Sequence, residues 1–141
     1  MTTPFNAIES AIRSRFATEW AALHPSIPIR YENTAHPETS PPFIYLSTTF
    51  MASNQVAIGS GASNRKYRHN GLIIIGIYTA ANTGPGDASQ YADEISNIFR
   101  GQTFSGVVCL APVADRGRPA DEKGNYWLKT LTCEFYSDSL H

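Results

Sequence analysis

Charge is what this sequence has least of. Asp, Glu, Lys and Arg make up 16% of its 141 residues, against about 25% in typical soluble domains. The shortage is concentrated: from Asn33 to Asn64 the only formal charge is Glu38, and Asn70–Gly86 and Gly101–Ala114 carry none. Interface cores are depleted in the same residues, so either partners cover part of this surface or Ser, Thr and Asn solvate it. Net charge is -1, so no global basic field recruits nucleic acid or acidic lipid.

Other absences exclude whole classes. The two cysteines, Cys109 and Cys133, are too few for a disulfide scaffold. They lack C-x-x-C spacing and a nearby His, which argues against zinc and for buried thiols in a reducing cytosol. The longest apolar stretch, Leu72 to Ala81, is half of the ~20 residues a membrane helix needs. Glu9, Arg13 and Arg15 interrupt any apolar run at the start, so no secretory signal is expected. There is no H-E-x-x-H, no G-x-S-x-G and no phosphate loop. Gly59-Ser60-Gly61 opens like a dinucleotide fingerprint, but it lacks the third glycine and leads into a basic run and a strand.

What is present is a folding pattern. Hydrophobic residues reach 42%, enough for a core, and the length suits one domain spanning residues 1–141. Thr3-Pro4 reads as a helix start. Phe5, Ile8, Ile12, Phe16, Trp20 and Leu23 then follow at spacings of three and four, predicting a helix over 4–22 with one apolar stripe. His24-Pro25 closes it. Ile27–Glu32 reads as short and extended, followed by a Pro-rich connection over 33–42, a strand over Phe43–Phe50, and a mobile loop or ragged hairpin over 51–65.

Lys66–Tyr78 is the strongest strand signal. Ile73, Ile75 and Ile77 point one way and Leu72, Ile74 and Tyr78 the other, predicting a central strand covered on both faces. A turn over 82–86 leads to a second helix, capped by Asp87 with Gln90 at the capping-box position. Its apolar face is Ala88, Tyr91, Ala92, Ile95, Ile98 and Phe99, while Ser89, Asp93, Glu94 and Asn97 face water. Arg100 and Gly101 stop it. Val107–Ala114 reads as a strand that Pro112 confines to an edge or a bulge. Asp115–Gly124 is turn-rich, and Tyr126–Tyr136 alternates again, with Trp127, Leu131, Cys133 and Phe135 on one phase. This order predicts an α+β fold: a mostly antiparallel sheet with two helices on one face.

Candidate chemistry is thin. His24, His36, His69 and His141 are scattered, and nothing marks a nucleophile-base-acid set. Asp93-Glu94 falls on the solvated face of a helix and Asp121-Glu122 in a turn, poor places for acid/base work. The basic run Arg65-Lys66-Tyr67-Arg68-His69 could touch a nucleic-acid backbone or form a solvated strand entrance. Asp115-Arg116, Arg118 and Asp121-Glu122-Lys123 look like a hairpin tip able to contact a neighbour.

The series as a whole carries a resemblance. It runs from Pro4-Phe5-Asn6-Ala7-Ile8 to Trp20, through Ile29-Arg30-Tyr31-Glu32-Asn33 and Pro42-Phe43-Ile44-Tyr45-Leu46. It continues with Gly59-Ser60-Gly61, Arg65-Lys66-Tyr67-Arg68 and the apolar strand, then Ile98-Phe99-Arg100-Gly101-Gln102 and Tyr126-Trp127. In this the chain resembles the tail terminator proteins of long non-contractile-tailed bacteriophages, also called minor tail or tail-completion proteins. The resemblance implies a structural virion protein without enzymatic activity or cofactor. It implies a ring, typically a homohexamer, that is assembled in the host cytoplasm and sits on the head-proximal end of the tail tube. There it would stop tube growth and present the surface that a head-completion or connector protein meets, with DNA passing through the ring without sequence readout.

Arg65, Lys66, Arg68, Arg116 and Arg118, the concentrated basic residues, are the expected ring or tube contacts. Two other readings stay open. One is a head-tail connector or neck ring. The other is a small ligand-binding or enzymatic α+β module, which needs a deep pocket lined by His69 or a carboxylate pair.

Overall fold

The computed structural model describes residues 4–32, 42–57, 66–81, 84, 86–120 and 126–140. Helix α1 (Pro4–Leu23) leads to β1 (Ile29–Tyr31), β2 (Phe43–Ala57) and β3 (Lys66–Ala80). Helix α2 (Gly86–Phe99) is followed by β4 (Thr103–Phe104), β5 (Val107–Cys109), β6 (Val113–Ala114), β7 (Arg118–Pro119) and β8 (Tyr126–Leu140). The strands form one sheet in the order β1-β2-β3-β8-β5-β4, with β6 and β7 also paired to β8. Only the β1–β2 pair is parallel.

The sheet is built around β3. It pairs with β8 in unbroken register, from Lys66 opposite Leu140 to Ala80 opposite Tyr126. On its other side it pairs with β2 from Phe43 opposite Tyr78 to Ala57 opposite Lys66, with register shifts at Phe50/Ala52 and Gln55/Ala57. Ile73, Ile75 and Ile77 are fully buried. They share one core with Ile12, Phe16 and Trp20 of α1, with Ala88, Ile95 and Phe99 of α2, and with Leu131, Cys133 and Phe135 of β8. Alternation along β3 and β8 and the stripe of α1 therefore meet as expected. The opposite phase of β3 (Leu72, Ile74, Tyr78) is only half-buried in the single chain.

One close approach and two positive-φ turns fix the backbone. A Cβ on Gly71 would lie 2.5 Å from the Thr49 carbonyl oxygen and 2.6 Å from the Phe135 ring. Ser105 and Gly106 both have positive φ, 48° and 80°, which closes the two-residue β4–β5 hairpin. Gly101, at φ 65°, ends α2 as its position after Arg100 requires.

Several expectations need correction. Of the two readings of 51–65, the ragged hairpin holds over residues 51–57 and the loop does not: β2 continues through them, paired with β3 across two register shifts. Phe5 and Leu23, read as the ends of the α1 stripe, are 42% and 49% exposed, although Phe5 still packs edge-on against Phe50 and His69 at 4.6 and 5.3 Å. Helix α2 begins at Gly86, so Asp87 lies in its first turn, not at its cap. The strand expected over 107–114 is split into β5 and β6, with the register slipping by one residue across Pro112. The Pro-rich connection over 33–41, Gly59-Ser60-Gly61, Arg65, His36, Asp121-Glu122-Lys123 and His141 lie outside the described residues.

Because Ile75 sits at the meeting point of sheet and helices, Ile75→Ala is expected to cost about 2–5 kcal/mol of unfolding free energy. Urea titration followed by circular dichroism checks this. A loss under about 1 kcal/mol would place the centre of the core elsewhere.

Candidate functional site

The residues expected to carry contacts fall into two places. The first is the far end of the sheet, where β2, β3 and β8 run on together. Arg68 donates from Nε and Nη2 to the Asp138 carboxylate at 2.9 and 3.1 Å. Lys66 Nζ lies 3.4 Å from the same carboxylate, and the Arg68 guanidinium sits 4.2 Å from the Tyr136 ring centroid. The hydrogen bond from Arg68, aided by Lys66, holds the Asp138 carboxyl below its usual range. The same bond raises the Arg68 guanidinium further. Lys66 and Arg68 are therefore engaged within the chain, each to a carboxylate some seventy residues away.

Beside this cluster His69 is buried at 5% exposure. Its Nδ1 lies 2.8 Å from Ser53 Oγ and its Nε2 lies 2.8 Å from Ser139 Oγ, so one imidazole ties together β2, β3 and β8. Phe5 meets the ring edge-on at 5.3 Å. Both nitrogens are occupied by hydroxyls and the ring is enclosed, an arrangement that cross-links strands.

The second place is the edge of β6 and β7. Arg118 Nη1 lies 3.7 Å from Asp115 Oδ2, and Arg116 is exposed beside it. Asp115 organises this corner: its Oδ1 accepts from the amides of Gly117 and Thr130 at 3.0 and 2.9 Å. Gly117, at φ 87°, lies so close to Trp127 that a Cβ there would sit 2.5 Å from the indole nitrogen. The structure does not bring the two basic groups together. Lys66 and Arg68 lie opposite Leu140 and Asp138 at one end of β8, and Arg118 opposite Leu128 at the other.

Three features escaped the sequence reading. Glu94, expected to face water, lies 2.7 Å from His24 Nε2 and joins the two helices. Its Oε1 is buried without a hydrogen-bond partner. Arg15 donates to the Ile98 carbonyl at 3.1 and 3.4 Å and sits 5.7 Å from the Phe104 ring centroid, pinning α1 to the end of α2 and to β4. No sequence spacing signals either contact, because both link residues far apart in the chain. The third is a groove of about 450 Å³ lined by Ala7, Ser10, Ser14, Arg15, Glu19 and Phe104. Its lining contains neither His69 nor a carboxylate pair.

Cys109 and Cys133 are both free and buried, as expected. The neighbouring Cys133 thiol and burial push the Cys109 thiol above its ordinary range, which keeps it protonated. Among the described residues no group of three or more His, Cys, Asp or Glu could hold a metal ion. No helix there is long and apolar enough to cross a membrane.

The depressed Asp138 carboxyl fixes a sign for pH dependence. Its folded value lies below the unfolded one, so its contribution is present above the ordinary carboxylate value of 3.8 and is lost as pH falls through the folded value. Thermal melts between pH 7 and the acid limb should show a shallower acid decline for Asp138→Asn than for the wild type. Superimposable slopes would mean that the ion cluster contributes nothing to acid stability.

Comparisons with known proteins complete the description. No curated protein matches the sequence. One solved structure, 16% identical, aligns over 96% of this chain and 96% of its own with a TM-score of 0.67. Another, from the virion of a native gene transfer agent particle, is 16% identical. It covers 95% of this chain and 96% of its own with a TM-score of 0.63. At that identity the two matches establish a shared fold. The family model for phage tail terminator proteins matches residues 7–132, from the first turns of α1 into β8, and the chain therefore belongs to the phage tail terminator family as a structural component of the phage tail.

Proposed function

We propose that the whole chain, residues 1–141, acts as one terminator domain. It assembles into a ring, six copies by the resemblance, on the head-proximal end of the tail tube. The ring ends tube polymerisation and forms the surface on which the head docks. The observation that carries this reading is the family match across both helices and most of the sheet. The physical features agree with it. Charge is sparse, at 16% of residues, and the second face of the central sheet stays half-open in the single chain. A shallow groove among the described residues carries no convergent catalytic groups. The chain's role is therefore read as structural, with tail tube protein and a head-completion or connector protein as partners. DNA passes through the ring without sequence readout. Assembly takes place in the host cytoplasm.

Of the basic residues proposed as contacts, Arg116 and Arg118 are the better placed. They are exposed at an edge, Arg118 with only a 3.7 Å contact to Asp115, whereas the less exposed Lys66 and Arg68 lie 3.4 and 2.9 Å from Asp138. Arg65 belongs with the proposal by sequence alone. Reversing Arg116 and Arg118 together to Glu should leave the monomer's melting profile intact. It should lower complementation of a terminator-deficient phage by at least about tenfold, as expected where each lost contact weakens binding by about a factor of ten. Full complementation would remove both arginines from the contact surface. The neck-ring alternative is separated by a pull-down: the terminator reading expects binding to purified tail tubes and not to portal complexes, and the reverse result favours the neck.

A further inference from the structure

The two sides of the sheet are protected differently. At the β7 edge, Asp115, Arg116 and Arg118 surround Pro119, whose ring leaves no amide to donate. Charge and proline are the usual means of keeping an edge from pairing. The β2 edge has neither: Phe43–Ala57 contains no proline and no charged residue. The parallel strand β1 covers only Ile44–Leu46. Beyond it, the Thr48 amide donates to Glu32 Oε1 at 2.9 Å, and from Thr49 to Ala57 no strand lies along the outer side among the described residues.

The direction of the bare amides can be read from the register. Ile44 donates outward to the Pro28 carbonyl and Thr48 to Glu32, so the even-numbered amides face out along this part of β2. The one-residue shift between Phe50 and Ala52 exchanges the phases. Ser53 and Gln55 then present the outward donors, in a stretch where residues 51–55 are all exposed and Met51 reaches 54%.

We infer that this unguarded edge takes up a second copy of the same chain, which contributes the uncharged 110–114 segment from the opposite side of its own sheet. That segment matches the uncharged β2 edge. Leu110 and Val113 are 43% and 69% exposed, with no charge until Asp115. Pro112 keeps the added strand short, so the apolar contact of Leu110 and Val113 with Met51 supplements a few backbone bonds. The two surfaces are different patches on opposite sides of one chain, which makes the contact head-to-tail. Head-to-tail contacts close into rings when the rotation permits. The inference rests on the ring reading above and names the surfaces through which copies would meet.

Native mass spectrometry over a wide concentration range tests it, with melting temperature as the fold control. Gln55→Pro removes one outward donor and leaves the β2–β3 ladder, while Gln55→Ala keeps the donor. Val113→Asp places a charge on the opposing surface. The expected result is assembly of wild type and Gln55→Ala together, with the midpoints of Gln55→Pro and Val113→Asp shifted at least about tenfold to higher concentration. Should Gln55→Pro fail to fold, Met51→Lys charges the same edge and carries the same expectation.

Assembly of Gln55→Pro at wild-type concentrations would overturn the edge assignment and leave the ring reading standing. Normal assembly of Val113→Asp beside a blocked Gln55→Pro would overturn the head-to-tail counter-surface. A wild-type chain that stays monomeric throughout would overturn the second copy as occupant, while the ring reading would still be judged by binding to tail tubes.

Discussion

Everything in this molecule depends on β3 being a central strand. It is paired along its length on both sides, and Ile73, Ile75 and Ile77 close the core beneath the two helices. Without that phase α1 and α2 would have nothing to cover, since their buried stripes meet those same isoleucines. The pairing also carries β2 and β8 along β3 to its Lys66 end, where the Arg68–Asp138 pair and the His69–Ser53–Ser139 bridge hold the three strands together. Burial organises one end of the sheet, and charge and hydrogen bonding organise the other.

Such a division suits a protein whose work is to be a surface. No described cluster pairs a nucleophile with an accessible base, and the two thiols are buried against each other. Among the described residues the chain offers a half-open sheet face, a strand edge without a neighbour and an exposed basic corner, which are features of contact. Membership in the tail terminator family gives these features a setting. The 16% identity of the solved relatives indicates that the fold outlasts its sequence detail.

The sequence made the repetitive parts legible. The α1 stripe through Ile8, Ile12, Phe16 and Trp20 and the β3 alternation were readable because each element obeys one period. The continuation of β2 through Met51–Ala57 was legible only as one of two readings, loop or ragged hairpin, because those residues are polar and small. Pairing with β3, and not their own propensity, makes them strand. The ion cluster at Asp138 and the His24–Glu94 contact were equally hidden. Each joins residues 70 positions apart, and spacing along a helix or strand carries no such information. The basic run was visible, but its meaning was not: two of its residues have their charge answered within the chain, which shifts attention to Arg116 and Arg118.

The most direct test of the central claim is tail-tube polymerisation watched by negative-stain imaging, with and without the purified chain. If this chain is a terminator, adding it should shorten and sharpen the tube length distribution and leave one ring on one end of each tube. Tubes of unchanged length with bare ends, at chain concentrations well above that of tube ends, would contradict the account.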